Sequence, residues 1–440
     1  MPTHSSGTIG RTVARKLRRL LREKRGAALV TFALAVPAIA GVTSMAVESG
    51  LWYLAKRGLQ NQADAAAQSG AFERAKGNPG TVNAAALNEA VRNGFVNAAP
   101  NAIVINNPPL GGSEAGNGGA VEAILTQPQQ LLLASYFIPG VTVRARAVAA
   151  VQVTGTACVL ALHPSMNGAV TNQGSALIDM SGCSVAANST SSSAIDITGS
   201  GTLLADSLWT VGNYTQGGSS TLTLAKPPVV NAWAIEDPYG SLTIPPLGAC
   251  DHNSATYSGG TATIDPGIYC NGIGFGANAD VTLNPGTYYI DQGDFAVTAT
   301  ARLRCACIAP GDGVTFVLTS SGGASAIGTV TINGGADVLL NAPSDPADPY
   351  TGVIFYQDPR APSGGKINKF NGGPLMSLTG AVYMPNQQVQ WSGNNSPSAP
   401  TCTQIIARQV VFIGNATIRN SGCPAAGVQP LNITGVRIVE

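Results

Sequence analysis

Residues 265–275, DPGIYCNGIGF, and residues 284–295, NPGTYYIDQGDF, are two weak copies of one pattern. They align on their Pro-Gly pairs, at Pro266-Gly267 and Pro285-Gly286, with an offset of 19 residues. A period near 20 residues with Gly and Asn at the corners is typical of a solenoid, in which each repeat covers the apolar face of its neighbour. The two copies therefore predict stacked strands in this part of the chain.

The surrounding sequence extends this pattern. GVTFVL (313–318), GVIFYQD (352–358) and GAVYMPN (380–386) each place a Gly before a β-branched and aromatic run. From about residue 156 onward, short apolar runs alternate with Gly, Asn, Asp and Ser turns, and no long helix is predicted. We expect an all-β domain over residues 154–440, a parallel β-helix or solenoid, with a β-sandwich as the alternative.

An apolar stretch without a charge, AALVTFALAVPAIAGVTSMAV, covers residues 27–47. As a helix it would be about 31 Å long, which matches the hydrocarbon thickness of a bilayer. Residues 1–25 carry eight Lys or Arg against Glu23 alone, and such a cluster stays in the cytoplasm. We expect a basic cytoplasmic segment over 1–25 and a single-pass inner-membrane helix over 26–47. The remaining bulk is then periplasmic or displayed at the cell surface.

A cleavable signal peptide is the alternative, with Ala38-Ile39-Ala40 as the cleavage site. The apolar run continues beyond this site to Val47, and helical spacing persists over residues 51–75, which favours a retained anchor. We therefore expect an extended amphipathic helix over 48–76. A small α+β segment should follow over 77–153, with apolar strand candidates and one short helix, PQQLLLASYFIP, at residues 128–139.

Residues 24–71 resemble the N-terminal segment of the TadE/TadG-like family, pilin-like proteins of the tight-adherence (Flp) pilus. The shared elements are Arg25-Gly26, an apolar span centred on Pro37, Glu48 at its end, Trp52-Tyr53, and Gln60-Asn61 before an Ala-rich run at 63–67. Thr31 stands where the TadE branch has the Glu that follows its processing site, so the pattern is closer to the TadG branch. The resemblance implies a retained anchor and a pilin-like body over residues 77–153.

All eight Cys lie beyond residue 150: Cys158, Cys183, Cys250, Cys270, Cys305, Cys307, Cys402 and Cys423. An even number in an exported segment fits disulfides formed in an oxidising compartment. Pairing of neighbours would join the first with the second, and so on along the chain, although eight Cys allow 105 connectivities. The resemblance to TadG-like proteins also supports the first of these pairs. Zinc is not expected, because only Cys305 and Cys307 are closely spaced.

Candidate catalytic residues are few. Asp291 and Asp294 are the nearest pair of carboxylates for a glycoside hydrolase. A polysaccharide lyase would use Lys366, Lys369 or Arg360, but their loop has no acidic cluster to hold calcium. His163 and His252 stand alone, and the segment that starts at Asp179 lacks the last Ser of a metal-dependent adhesion motif. We expect no enzymatic activity, no cofactor and no metal.

The resemblance thus implies a non-enzymatic, membrane-anchored minor pilin or assembly protein, which contributes to pilus biogenesis and adhesion. Its expected partners are other pilus or secretion-system subunits, reached through the N-terminal helix, the inner membrane, and a surface glycan or protein. The basic head precedes an apolar run, so no nucleic acid is expected. The alternatives are a surface adhesin or carbohydrate-binding β-helix that assembly does not require, and then a polysaccharide-active enzyme. Five aromatic residues would either grip a sugar or fill the core: Tyr350, Phe355, Tyr356, Tyr383 and Trp391.

Overall fold

The computed structural model describes residues 24–136, 138–298, 300–371, 376–392, 402–418 and 420–440. The chain divides into two compact units. The first contains the described residues up to Gln152 together with Val436–Glu440, and the second contains Val153–Gly435. Residues 436–440, which the sequence had assigned to the β-domain, therefore belong to the first unit.

The first unit is built on one long helix, α1, Lys24–Ala75, with Pro37 inside it. The predicted membrane helix and the predicted amphipathic helix are thus continuous. The other elements are α2 (Val82–Arg92), β1 (Ala102–Asn106), β2 (Ala120–Gln129), the beginning of β3 (Val141–Ala161), and two short 3-10 helices at Pro79–Thr81 and Leu133–Tyr136. β1 and β3 both pair antiparallel with β2.

Small side chains let the second half of α1 approach the rest of this unit closely. Ala63, Ala66 and Ala67 are fully buried in a core that includes α2 and the sheet. A Cβ added to Gly70 would lie only 2.8 Å from Cγ1 of Val121, so this crossing requires glycine. Burial of this Ala face, rather than intrinsic helix propensity, fixes the position of α1 on the sheet.

The first half of α1 is different, because its apolar side chains are exposed on all sides. The exposed residues are Leu29, Val30, Phe32, Leu34, Val36, Ile39, Val42, Met45, Val47, Leu51 and Leu54. A helix that is hydrophobic all round is typical of a membrane span. By length and composition α1 is able to cross a membrane, a property that anchors share with signal sequences.

The second unit is formed by short strands, with a third 3-10 helix at Ala324–Ala326 and no α-helix in its described residues. The strands that follow β3 are β4 (Val170–Asn172), β5 (Leu177–Met180), β6 (Ser184–Ala187), β7 (Ile195–Ile197), β8 (Thr202–Ala205), β9 (Leu208–Thr210), β10 (Tyr214–Gln216), β11 (Thr221–Leu224), β12 (His252–Tyr257), β13 (Gly260–Ile264), β14 (Gly267–Phe275), β15 (Ala279–Leu283), β16 (Gly286–Asp291), β17 (Phe295–Val297), β18 (Arg302–Cys305), β19 (Val314–Thr319), β20 (Val330–Ile332), β21 (Asp337–Asn341), β22 (Val353–Gln357), β23 (Ile367–Asn371), β24 (Ser377–Ser392), β25 (Thr403–Phe412), β26 (Ala416–Thr417) and β27 (Leu431–Ile438).

These strands pair in parallel and form long stacks. One stack runs β12, β14, β16, β19, β22, β24, β25, β3, β6, β9. A second continues from the later part of β14 through β17, β20, β23, β24, β25, β4, β7 and β10. On a third side lie β13, β15, β18, β21 and β24, and also β26, β5, β8 and β11. The prediction of an all-β domain with stacked strands is confirmed.

The sequence repeats correspond to neighbouring layers of these stacks. Phe316 pairs with Phe355, which is the register that the aligned glycines predict. For the Pro-Gly repeats, Gly267 pairs with Tyr288, two residues beyond Gly286, the residue with which it aligns in the sequence. Side chains alternate between the two faces of a strand, so a shift of two residues leaves the same side chains in the core.

The order of the layers does not follow the chain. β3 and β4 pair with β25, so in space the layers formed by residues 157–224 follow the layer formed by residues 403–412. The ends of the stacks are therefore the layers at 208–224 and 252–264. Residues 225–251, which we call the strap, connect these two ends along one side of the stacks.

Aromatic side chains fill the core along the stack direction. Tyr269, Tyr288, Phe316, Phe355, Phe370 and Trp391 form a column in which neighbouring ring centroids lie 5.2 to 5.8 Å apart. These rings are among the largest fully buried side chains of the protein. Burial of large aromatic surfaces supplies a major part of the stabilisation of such a core.

Candidate functional site

All eight Cys form disulfides in the second unit, and they join neighbours in the chain. The pairs are Cys158–Cys183, Cys250–Cys270, Cys305–Cys307 and Cys402–Cys423. These are the pairs that the spacing suggested. Within the described residues, no group of three or more His, Cys, Asp or Glu side chains is arranged to hold a metal ion.

The paired carboxylates at Asp291 and Asp294 bind neighbouring layers of the stack. The two oxygens of Asp291 accept hydrogen bonds from the backbone N–H and the hydroxyl of Ser321, both at 2.7 Å. Asp294 accepts the N–H and hydroxyl of Thr329, at 2.7 and 3.1 Å. Each carboxylate therefore holds a turn of the next layer. This geometry gives both residues a structural explanation.

Two of the three basic residues that a lyase would use, Lys366 and Arg360, are held by contacts within the protein. Lys366 Nζ donates to the carbonyls of Ser325 and Ile327, at 3.1 and 2.8 Å. Arg360 forms an ion pair of 2.6 Å with Asp358. Lys369 is exposed on β23. Burial alone would raise the pKa of Asp358, but hydrogen bonds from Arg360 and Thr319 outweigh it and lower that pKa, so the ion pair is charged at neutral pH.

The five aromatic residues that the sequence assigned either to sugar binding or to the core are buried, each with an exposed fraction of 2% or less: Tyr350, Phe355, Tyr356, Tyr383 and Trp391. Phe355 and Trp391 belong to the central column, and the three tyrosines pack beneath the strap. Of the two alternatives, core packing is therefore confirmed, and stacking of these rings on a ligand is wrong. Their aromatic surface is used in packing.

Two open clefts lie beside the strap. The larger, of about 620 Å³, lies between strap residues 242–247 and the Asp358–Arg360 ion pair, and its walls include Ser320 and Tyr356. The smaller cleft, of about 330 Å³, is lined by polar side chains from five different parts of the chain: His163, Asp237, Ser363, Asn386 and Arg408. No sequence signal indicated the smaller cleft, because its residues are up to 245 positions apart.

The smaller cleft offers both donors and acceptors. Nδ1 of His163 accepts the N–H of Ser165 at 3.1 Å, and burial followed by the charge of Arg408 lowers the pKa of His163. A neutral imidazole of this tautomer presents Nε2–H as a donor. The Arg408 guanidinium forms no ion pair within the part of the chain that the structure describes. Donors of this kind, together with the Asp237 carboxylate, suit a hydroxylated or acidic ligand.

Glu48 of α1 defines a different site in the first unit. Its exposed fraction is 1%, and Oε1 accepts the N–H of Ala134 at 2.9 Å and the hydroxyl of Ser44 at 3.2 Å. Oε2 has no hydrogen-bond partner within the described residues. The family resemblance singled out Glu48, but no sequence signal indicated its bond to the short 3-10 helix.

An ionic network lies elsewhere in the first unit and includes residues of β2 and β3. Arg146 on β3 donates to Glu122 at 2.5 Å and also binds the carboxylate of Glu440. Glu440 accepts the N–H and hydroxyl of Ser113, at 2.5 and 2.6 Å. This network ties residues 436–440 to the sheet. It was not predicted, because its members are distant in sequence.

The described side chains thus offer two kinds of surface, polar clefts on the second unit and an exposed apolar helix on the first. Neither kind assembles the acid, base and nucleophile of a recognisable reaction. Comparisons of this chain with protein-family models, with curated proteins and with solved structures found no match.

Proposed function

We propose that this protein is a non-enzymatic, membrane-anchored component of a tight-adherence pilus system, a TadG-like minor pilin or assembly protein. One observation carries the proposal, the division of α1 into two halves. The first half exposes apolar side chains on all sides, and the second half buries its Ala face on a small antiparallel sheet. A helix that joins a lipid-embedded half to a globular body is the arrangement of a pilin, and the resemblance over residues 24–71 supports it.

The first half of α1 is suited to contacts with other helices in the membrane. Cβ positions at Gly41 and Gly50 meet no atom within 4 Å, so these small residues lie on an open surface. Small residues let helices approach closely in lipid, where packing rather than hydrophobicity drives association. Gly41 and Gly50 are on opposite sides of the helix, so other pilus or secretion-system subunits would be able to bind α1 from more than one direction. The basic residues 1–25 would hold the N-terminus in the cytoplasm.

The second unit is proposed to be a parallel β-helix that acts as a rigid scaffold outside the cytoplasm. Parallel registers over successive layers and a continuous aromatic core support this assignment. Four disulfides fit an oxidising compartment. In this arrangement the membrane helix binds the other subunits during assembly, and the second unit extends away from the membrane and contributes to adhesion.

The test is photo-crosslinking in the producing bacterium, with a photoreactive residue in place of Val42, which is 72% exposed on the anchor. Ser219, exposed on the second unit, is the matched control position. We expect Val42 to capture a pilin-like subunit, and deletion of the gene to abolish or shorten the fibres. If Val42 captures only lipid and fibres of normal length persist after deletion, the pilus assignment is wrong.

Glycan binding is a second candidate function, favoured by the cleft of His163, Asp237 and Arg408. In that case Arg408→Ala should weaken binding of the purified protein to an acidic oligosaccharide at least tenfold. Lys369→Ala, which removes an exposed cation away from this cleft, is the control. Equal binding by both variants and the unchanged protein would exclude this cleft as the binding site.

A further inference from the structure

The 3-10 helix Leu133–Tyr136 is fixed to α1 at the level where the apolar stretch of α1 ends. Glu48 is the first charged residue after the uncharged residues 27–47, and it accepts the N–H of Ala134. The acceptor is buried between the two elements, with 1% of its surface exposed. A membrane-embedded α1 would therefore hold this 3-10 helix at the boundary of the bilayer.

The chain around this 3-10 helix is apolar and faces outward. Residues 123–143 contain no Asp, Glu, Lys or Arg. Leu132 is 60% exposed and Tyr136 is 82% exposed, and Leu133 and Ile138 are also exposed. Clustered apolar side chains of this kind are costly in water and mark a site of interaction. Lipid is the partner that their position beside the end of the apolar stretch indicates.

A groove of about 380 Å³ separates this segment from α1. Its walls are formed by Ala40, Thr43, Ser44 and Val47 of α1, by Glu48, and by Leu132 and Leu133. The groove adjoins the exposed apolar face of α1, so an acyl chain of a surrounding lipid would fill it without leaving the bilayer. Apart from Glu48, which is 1% exposed, the walls carry no charge, and they suit an acyl chain better than a hydrated headgroup.

We propose that Leu132, Leu133, Tyr136 and Ile138 insert into the outer boundary of the bilayer and form a second membrane contact beside α1. This inference rests on the membrane anchor of the proposed function. Tyr136 would lie at headgroup level, where amphipathic aromatic rings concentrate, and the leucines would reach the acyl chains. Two contacts restrain rotation of the first unit about the axis of α1, which a single helix leaves free.

The test uses the full chain reconstituted in vesicles of phosphatidylethanolamine and phosphatidylglycerol. The native Cys are all in disulfides, so an added Cys is the single site for a nitroxide label. Labels are placed by Leu132→Cys and Tyr136→Cys, with Val42→Cys inside the apolar helix and Leu110→Cys on an exposed loop of the same unit. Accessibility to oxygen and to a water-soluble nickel chelate then reports the depth of each label.

For labels at Leu132 and Tyr136, we expect the ratio of oxygen accessibility to chelate accessibility to be at least threefold higher than for the Leu110 label. Both labels should lie at a shallower depth in the bilayer than the Val42 label. If both labels are as accessible to the chelate as Leu110 while Val42 is in lipid, the second membrane contact is absent. The proposal that α1 anchors the protein in the membrane is then unaffected. If Val42 is itself accessible to the chelate, the anchor fails, and this inference fails with it. Because Leu132 and Tyr136 are exposed, their replacement leaves the fold intact.

Discussion

The phenol of Tyr383 donates a hydrogen bond of 2.9 Å to Oδ2 of Asp237 and thereby joins β24 to the strap, across 146 positions of the chain. Oδ1 of the same carboxylate accepts the N–H of Tyr239, at 3.0 Å. Burial raises the pKa of Tyr383, so the phenol remains a donor at neutral pH. Tyr356 makes a similar contact with the carbonyl of Leu242, at 3.1 Å. Side chains of the stack thus hold the strap in place.

Tyr383→Phe should destabilise the second unit by about 1.5–3 kcal/mol, because it removes a hydrogen bond to a charged acceptor and leaves Asp237 with fewer partners. Denaturant unfolding monitored by fluorescence checks this value. The matched control is Tyr214→Phe on β10, where the ring is partly exposed, and its effect should stay within about 0.5 kcal/mol. Equal unfolding midpoints for the two variants would contradict the role given to Tyr383.

The disulfide between Cys250 and Cys270 fastens the end of the strap to β14, with a sequence separation of 20. Replacement of both Cys by Ser should cost about 3 kcal/mol, because the unfolded chain regains the freedom of a closed loop. Limited proteolysis should then cut the strap near residue 245 before the stacks. The control replaces Cys305 and Cys307, which close a much shorter loop and should cost about half as much. Cleavage elsewhere first would show that the strap is held without this bond.

Phe316 occupies the middle of the aromatic column, with its ring centroid 4.6 Å from that of Phe295 and 5.3 Å from that of Phe355. Phe316→Ala should lower the free energy of unfolding by about 3–5 kcal/mol, because neighbouring layers cannot collapse into the cavity. Ile308→Ala, at an almost fully exposed position, should change it by less than about 0.5 kcal/mol. A loss below about 1 kcal/mol for Phe316→Ala would mean that the column contributes little.

Local pattern was sufficient to predict strands and the pairing of consecutive layers. Alignment of Gly313 with Gly352 gives the observed register of Phe316 on Phe355, because these layers are adjacent in sequence and in space. The Pro-Gly repeats pair two residues away from their alignment, so the repeats show which layers are neighbours but do not always give the register. The position of the first layers was not predictable. Val159 pairs with Ile405 across about 250 residues, and parallel pairing at that distance leaves no local signal.

The candidate sites were harder to predict than the strands. Asp291 and Asp294 looked like a pair because they are close in sequence, yet their partners, Ser321 and Thr329, belong to the next layer. The cleft at Arg408 is assembled by the stacking order itself, which brings residue 163 beside residue 408. Glu48 was singled out by the family resemblance, while its contact with Ala134 required the fold.

The carboxylate of Glu440 should make the first unit sensitive to acid. Hydrogen bonds from Ser113, and then from Arg146, lower its pKa from the ordinary value of 4.5 to about 2. A lowered pKa in the folded state means that this contribution to stability is complete above about pH 4.5. It is then lost as the pH falls toward about 2, because protonation removes the charge that these donors bind.

Glu440→Gln removes that charge at every pH and keeps the size of the side chain. The melting temperature of the first unit should therefore be lower in the variant at about pH 7, and the difference from the unchanged protein should shrink steadily below about pH 4.5. Thermal unfolding followed by circular dichroism at several pH values measures this difference. Glu114→Gln, on a partly exposed carboxylate that accepts a hydrogen bond from Asn117, is the control. Its difference in melting temperature from the unchanged protein should not vary with pH. A Glu440→Gln difference of the same size at about pH 7 and about pH 2 would mean that shape, and not charge, holds residues 436–440 on the sheet.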